Sequence, residues 1–206
     1  MNIISDKQTI LKELFRKSIH LCSAFIPFFL ARIYWVVIIG LLLVVTLYLI
    51  SEVLRLKGIA LPVIAKVTEI AARQRDENKI VWGPVTLVFG IILVSLLLPL
   101  EYAQVGIYAL AFGDGFASLI GKLFGRIVIP FTGKKTLEGS LACFTAVFIS
   151  TIIVSKNPLV ALLVALLAMI IEVLPLKDFD NLVIPVCVGY WYFVLIELII
   201  PHILVV

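Results

Sequence analysis

An aspartate lies inside an apolar stretch of the chain, in the segment GDGFASLIGKLFG at residues 113–125. An ionised carboxylate that faces lipid costs about 2.5 to 3.5 kcal/mol even on a lenient insertion scale, so such a residue usually points into the protein and binds a partner. Asp114, Ser118 and Lys122 recur every four residues, so they share one face of a helix. This face is the first candidate for chemistry, although a structural ion pair would also account for the aspartate.

A stripe of small residues runs beside this face, at Gly113, Ala117, Gly121 and Gly125. Small side chains at this spacing allow another helix or a ligand to approach the backbone closely. The stripe therefore predicts a close contact along this helix, and either occupant would satisfy it.

A second polar group opens the next apolar segment, with Lys134, Lys135, Thr136, Glu138 and Gly139 in succession. Backbone N–H groups at a helix N-terminus bind anions readily, and adjacent lysines strengthen such a site. Paired lysines at the end of a membrane span can also be no more than a topology signal. We expect a phosphate-binding helix start here.

The composition indicates that these groups lie in a protein embedded in a lipid bilayer. The chain has 206 residues, of which 63% are hydrophobic and 15% charged, and its mean hydropathy is +1.20, well outside the range of soluble proteins. No basic helix interleaved with aromatics is present, so the net charge of +4 does not indicate nucleic acid. The three cysteines lack metal-site spacing. The polar first twenty residues do not resemble a signal peptide.

Seven apolar runs are candidates to cross the bilayer as helices, which requires about 20 residues. We predict an all-α integral membrane protein, a single domain over residues 1–206 built as a bundle of about seven transmembrane helices. The runs lie at about 17–31, 33–50, 81–98, 102–120, 137–154, 158–175 and 182–200.

Basic residues predict the orientation of this bundle. With the N-terminus in the cytoplasm, all 17 lysines and arginines except Arg32 and Lys156 lie on the cytoplasmic side. The positive-inside rule then predicts the N-terminus inside and the C-terminus outside. The N-terminal segment and the long connection from Pro62 onward carry polar residues at helical spacing, which predicts amphipathic helices at the cytoplasmic membrane surface.

This topology gathers most of the embedded polar residues at the cytoplasmic boundary. Carboxylates such as Asp114, Asp180 and Glu172 are the hard ligands that magnesium prefers, and the connection GRIVIPFTGKKTLEG supplies the positive charge that a polyphosphate needs. Phosphoryl transfer needs mainly positioning and charge neutralisation. The predicted cluster comprises Lys17, His20, Glu52, Arg55, Asn78, Lys79, Asp114, Ser118, Lys122, Lys134, Lys135, Glu138, Glu172, Asp178, Asp180 and Asn181.

The strings GDGFASLIGKLFGR and GKKTLEGSLA resemble the signature of a family of membrane enzymes that phosphorylate lipid alcohols, the dolichol kinases, phytol kinases and CTP-dependent diacylglycerol kinases. The shorter strings FRKSIH, SEVLRLKG and EVLPLKDFDNLVIP occur in the order that this family shows. The resemblance implies a kinase that uses Mg²⁺ and takes CTP as phosphate donor. The acceptor would be phytol, geranylgeraniol, dolichol, diacylglycerol or a similar lipid alcohol in the bilayer.

The resemblance also implies roles for individual residues. Asp114 would hold the magnesium with help from Asp180 or Glu172, and His20 or a carboxylate could take the proton of the lipid hydroxyl. The residues assigned to catalysis are Asp114, Lys135, His20 and Glu138. Those assigned to the nucleotide are Gly113, Ser118, Gly121, Lys122, Arg126, Lys134, Thr136, Gly139 and Asn181.

Two other functions share part of the pattern. Phosphatidate cytidylyltransferases have a similar glycine-aspartate helix and lysine-lysine-threonine segment, but this chain has Thr132 and Gly133 where they typically have serine and proline. Its late segment KDFDNL also differs from theirs. A transporter or scaffold could bury charges as well, but charges on one face rather than at mid-membrane disfavour transport.

Overall fold

The computed structural model describes residues 3–59, 68, 79–133 and 135–200, with side chains from residue 10 onward. Most of the amphipathic helix predicted from Pro62 onward lies outside these residues, as do the predicted site residues Asn78 and Lys134.

The described chain is helical almost throughout, which confirms the all-α prediction. Its regular helices are α1 (Ile3–Cys22), α2 (Ile26–Leu56), α3 (Gly83–Leu97), α4 (Leu100–Tyr108), α5 (Gly115–Phe124), α6 (Leu137–Ser155), α7 (Pro158–Val173) and α8 (Asp180–Val194). Wider π-helical turns join α4 to α5 at Ala109–Asp114 and follow α8 at Leu195–Ile199. Short 3-10 turns occupy Ser23–Phe25 and Lys177–Phe179. The described residues contain no strand, only an isolated bridge between Val128 and Thr136.

Four helical runs in the described chain are long and apolar enough to cross a membrane, and two shorter apolar helices accompany them. The long runs are Ile10–Leu56, Leu100–Phe124, Leu137–Ser155 and Lys177–Ile199, and the shorter ones are Gly83–Leu97 and Pro158–Val173. A helix of about 20 residues matches the hydrocarbon thickness. These helices agree with a membrane protein, and the count of seven spans stays a prediction.

The first two predicted runs are not separated by a loop. Residues Ile10–Leu56 form a helical run of 47 residues, which would measure about 70 Å if it were straight, more than twice the hydrocarbon thickness. The 3-10 turn at Ser23–Phe25 interrupts it. A second break lies at Ile33, whose φ of −141° and ψ of 53° are not helical. The predicted boundary at Arg32 thus appears as a kink.

Helix α8 packs against α3, α4 and α7. Two glycines permit its closest contacts. A Cβ atom at Gly90 of α3 would clash with the backbone carbonyl of Asn181, and one at Gly106 of α4 would clash with that of Pro185. Because backbone atoms cannot move aside as a flexible side chain can, these two contacts fix the separation of the three helices.

This packing predicts that Gly90→Ala destabilises the protein. The added methyl group overpacks a backbone contact, which typically costs about 1 to 3 kcal/mol. The thermal unfolding midpoint of the purified protein in detergent should therefore fall. Gly40→Ala is the matched control, because a Cβ at Gly40 of α2 meets nothing within 4 Å and alanine favours a helix by about 1 kcal/mol over glycine. Equal midpoints for the two variants would contradict the packing described above.

Candidate active site

Asp114 is the last residue of the π-helical turn between α4 and α5, and it is only 1% exposed. Its oxygen Oδ2 forms an ion pair with the Nζ atom of Lys17, which lies on α1 and is 3% exposed. The Nδ1 atom of His20, one turn later on α1 and 4% exposed, lies 3.1 Å from the same oxygen. A buried carboxylate of this kind requires a charged partner. The ion pair between Lys17 and Asp114 joins α1 to the π-helical turn.

The other oxygen of this carboxylate, Oδ1, is buried and has no hydrogen-bond partner among the described residues. Buried polar atoms in native proteins almost always have a partner, so this acceptor can take a water molecule or a ligand. A carboxylate oxygen is a ligand that magnesium accepts, and magnesium usually takes one or two carboxylates together with substrate phosphates. No group of three or more metal-binding side chains occurs in the described part of the chain. Asp114 could therefore bind a cation whose remaining ligands are phosphate oxygens.

A second, partly buried ion pair lies at the start of α6. The Nζ atom of Lys135 donates to Oε1 of Glu172 over 2.6 Å, and the hydroxyl of Ser140 donates to Oε2 over 3.2 Å. Glu172 is 2% exposed near the end of α7. The structure thus brings together Lys135 and Glu172, two residues that the sequence predicted to share a site.

The two ion pairs are close enough for their charges to interact. Burial lowers the pKa of Lys135, but the nearby carboxylates of Glu172, Asp114 and Asp180 raise it by more than burial lowers it. The pKa of Lys135 therefore lies above the ordinary value. Lys135 therefore remains a cation near neutral pH, within electrostatic range of three carboxylates.

A cavity of about 110 Å³ lies beside the first ion pair. Lys17, His20, Asp180 and Asn181 contribute polar atoms to its wall. The side-chain amide of Asn181 also donates to the carbonyl of Gly83 and to the hydroxyl of Thr86, both over 3.1 Å, which holds the start of α8 against α3. This volume is smaller than that of a typical small-molecule pocket, so it matches one end of a ligand rather than a whole drug-sized molecule.

The small-residue stripe is filled by another helix. A Cβ atom at Gly121 would lie 2.9 Å from the hydroxyl of Thr136, and one at Gly139 would lie 2.7 Å from the carbonyl of Ala117. Gly113 faces α6 in the same way, against Val147. These glycines therefore allow α5 and α6 to pack closely, and their predicted role in binding the nucleotide stays a prediction.

The start of α6 uses its own polar groups more fully than the sequence suggested. The hydroxyl of Thr136 caps the helix by accepting from the N–H of Gly139 over 3.2 Å. The carboxylate of Glu138 accepts from the N–H groups of Arg126 and Ile127, at 2.9 Å and 3.3 Å. Since these donors and the carboxylate are engaged within the protein, Lys135 is the described group best placed here to attract an anion.

The remaining predicted residues are more peripheral. Arg126 is exposed, and Ser118 is half-buried on α5. The Nζ atom of Lys122 lies 3.7 Å from Oε2 of Glu13 on α1, so this lysine helps to join α1 to α5.

Two residues to which the sequence analysis gave no role hold the carboxylates of the site in place. Lys17 was expected in the polar cluster without a role, yet it is the partner of Asp114. Its spacing of three from His20 is the available signal, since residues three apart share a helix face. Ser140, which binds Glu172, carries no such signal because serine is common in membrane helices.

No family model matches the chain, and no solved structure matches it. Curated proteins do match. The protein named "Probable phytol kinase, chloroplastic" of Triticum aestivum is 30% identical over 132 residues, which are 55% of this chain and 44% of that protein. "Probable phytol kinase 1, chloroplastic" of Oryza sativa subsp. japonica is 26% identical over 149 residues, 62% of this chain and 46% of that protein.

"Dolichol kinase" of Saccharomyces cerevisiae is 32% identical over 98 residues, which are 47% of this chain and 19% of the yeast protein. The matches span less than half the length of these curated relatives. They nevertheless confirm the resemblance that the motifs indicated: this chain is related to proteins named phytol kinase and dolichol kinase.

Proposed function

We propose that this protein is a membrane kinase that transfers the γ-phosphoryl group of CTP to the hydroxyl group of a lipid alcohol. The observation that carries the proposal is the buried carboxylate of Asp114, which has one oxygen paired with Lys17 and the other without a partner. It lies near a cavity of about 110 Å³ and within electrostatic range of Lys135. The names of the relatives agree with this reaction class.

In the proposed reaction the lipid hydroxyl oxygen forms a bond to the γ-phosphorus, and the bond from that phosphorus to the β–γ bridging oxygen breaks. CDP leaves with the electron pair of that bond. The hydroxyl proton passes to His20 or to Asp180, both of which line the cavity. A loose transition state makes a strong base less necessary, so charge neutralisation carries most of the catalysis.

The protein's own cations and carboxylates divide this task. Lys135 neutralises phosphate oxygens of the nucleotide, and Glu172 orients it until the nucleotide arrives. Lys17 fixes the carboxylate of Asp114 through Oδ2, which leaves Oδ1 available to a cation. Magnesium, when bound, would neutralise the nucleotide phosphates further and help to align the γ-phosphoryl group.

We also propose the seven-span topology for the membrane, with the N-terminus and this site on the cytoplasmic side. The support is the distribution of lysine and arginine, of which only Arg32 and Lys156 fall on the other side in that arrangement. A site at this boundary is reached by a water-soluble nucleotide and by a lipid hydroxyl at the membrane surface.

Product analysis tests the reaction. Purified protein incubated with magnesium, CTP labelled in the γ-phosphate and a panel of phytol, geranylgeraniol, farnesol, dolichol and diacylglycerol should yield labelled lipid phosphate, because the γ-phosphorus moves to the acceptor. The same panel with ATP tests the choice of nucleotide. Release of the label as pyrophosphate, with a CMP-bearing lipid as product, would instead identify a cytidylyltransferase.

The role of Asp114 predicts that Asp114→Asn lowers lipid phosphorylation by about two to three orders of magnitude, the scale for loss of one preorganised group that stabilises transition-state charge. Turnover is measured over a magnesium titration, because the variant should also lose magnesium affinity. Glu101→Gln is the matched control, since Glu101 is exposed near the opposite end of the same helical run. Full activity in the folded Asp114→Asn protein would disprove this assignment.

Asp114→Asn also leaves Lys17 buried without a counter-ion, and breaking a buried pair costs about 3 to 5 kcal/mol. The double variant Lys17→Met with Asp114→Asn removes that unpaired charge. It should elute as a folded protein in size-exclusion chromatography and stay inactive. Inactivity in this folded background separates the chemistry from a loss of stability.

Lys135→Gln should raise the KM for CTP about tenfold while the KM for the lipid alcohol stays constant, because a tenfold change corresponds to about 1.4 kcal/mol, the size of one charge-assisted contact. Initial rates with each substrate varied in turn provide the measurement. Lys156→Gln at the other end of α6 is the control, and it should change neither constant. An increase in the lipid KM alone would contradict the assignment of Lys135 to the nucleotide.

A further inference from the structure

The cavity beside the Asp114 ion pair is lined by both polar and apolar side chains. The polar ones are Arg16, Lys17, His20, Thr68, Asp178, Asp180 and Asn181. The apolar wall is formed by Ile19 on α1, Val81, Pro84 and Leu87 at the start of α3, and the ring of Tyr48 on α2. A cavity lined by both kinds of side chain suits a molecule that is itself polar at one end and apolar at the other.

The cavity lies between helices that pack on different neighbours. Helix α1 rests on α5 and on the π-helical turn, whereas α3 rests on α8 and α2. Ile19 is an exposed apolar side chain of α1, and Leu87 is a buried one on α3. The space between α1 and α3 is therefore a cleft whose rim at Ile19 is apolar, as a lipid tail requires.

The apolar wall is held in place by the end of α2. The carboxylate of Glu52 accepts from the N–H of Val81 over 3.1 Å, and the hydroxyl of Tyr48 donates to the carbonyl of Val81 over 3.0 Å. Arg55 binds Glu52 through two contacts of 2.9 Å and also donates to the carbonyl of Lys79 over 2.7 Å. Glu52 is fully buried, so the wall is a fixed surface.

Lys135, the side chain that the sequence predicts to neutralise the nucleotide phosphates, lies outside this cavity. Its partner Glu172 belongs to α7, away from α1 and α3. The carboxylate of Asp114 interacts with both regions, directly with Lys17 and His20 and through its charge with Lys135. Asp114 therefore lies between an amphipathic cleft and a cationic region.

We infer that the cleft between α1 and α3 binds the lipid alcohol, with its hydroxyl at Lys17, His20 and Asp180. The first carbons of its chain lie against Ile19, Pro84 and Leu87. The nucleotide reaches Asp114 from the side of Lys135. This inference rests on the proposed function, and it makes Ile19 and Leu87 determinants of the width of chain that is accepted.

The first test narrows the rim of the cleft. Ile19→Trp should raise the KM for geranylgeraniol in mixed micelles at least about tenfold, since small changes in an apolar pocket already change discrimination by about 10-fold to 200-fold. The KM for CTP should stay within about twofold of the wild-type value. Leu11→Trp is the matched control, because Leu11 is another exposed apolar residue of α1 that does not line the cleft. An Ile19→Trp variant with an unchanged lipid KM and a raised CTP KM would overturn the inference.

The second test does not depend on catalysis. The purified full-length protein is irradiated with a 20-carbon alcohol that carries a diazirine on its chain, and the labelled peptides are identified by mass spectrometry. Labels within residues 16–20 or 81–87 that excess geranylgeraniol removes would support the cleft, even if no γ-phosphate were transferred and the proposed kinase activity failed. Labels confined to the exposed face of α2, or insensitive to competition, would overturn the inference.

Discussion

The burial of one negative charge constrains the whole molecule. Asp114 is almost completely shielded from solvent, and its counter-charge comes from Lys17, nearly a hundred positions earlier in the chain, while His20 lies beside the same oxygen. Moving a carboxylate into a low-dielectric interior is tolerated only when the counter-charge is fixed nearby. The position of α1 against α5 and the π-helical turn therefore follows from an electrostatic requirement as well as from apolar packing.

The parts of this structure that sequence reasoning could predict are those governed by transfer from water to lipid. Hydropathy locates the helices, because each apolar run must bury its backbone polar groups within itself. The cost of an embedded charge likewise singles out Asp114 and Glu172. The choice of partners could not be predicted in this way: Lys17, Lys122 and Lys135 are the same type of residue, and only the tertiary arrangement decides which carboxylate each one meets.

Packing between helices was the other unpredictable part. The glycines of α5 allowed either a helix or a ligand, and the structure places Thr136 and Gly139 of α6 against them. Such contacts depend on the relative rotation of two helices, which no local pattern encodes. The break at Ile33 is of the same kind, since no proline or glycine lies at that position and the sequence indicated a boundary there only through Arg32. Local rules fail where tertiary contacts decide.

The π-helical turn at Ala109–Asp114 makes the length of this run as important as its composition. Such a turn accommodates one residue more than an α-helix would over the same rise. Removing a single residue from it would restore α-helical geometry, and each α-helical residue turns the chain by about 100°. Ile107 could then no longer face the core while the carboxylate of Asp114 faces Lys17. The spacing between these two positions is consequently intolerant of insertion or deletion, even where individual side chains could be exchanged.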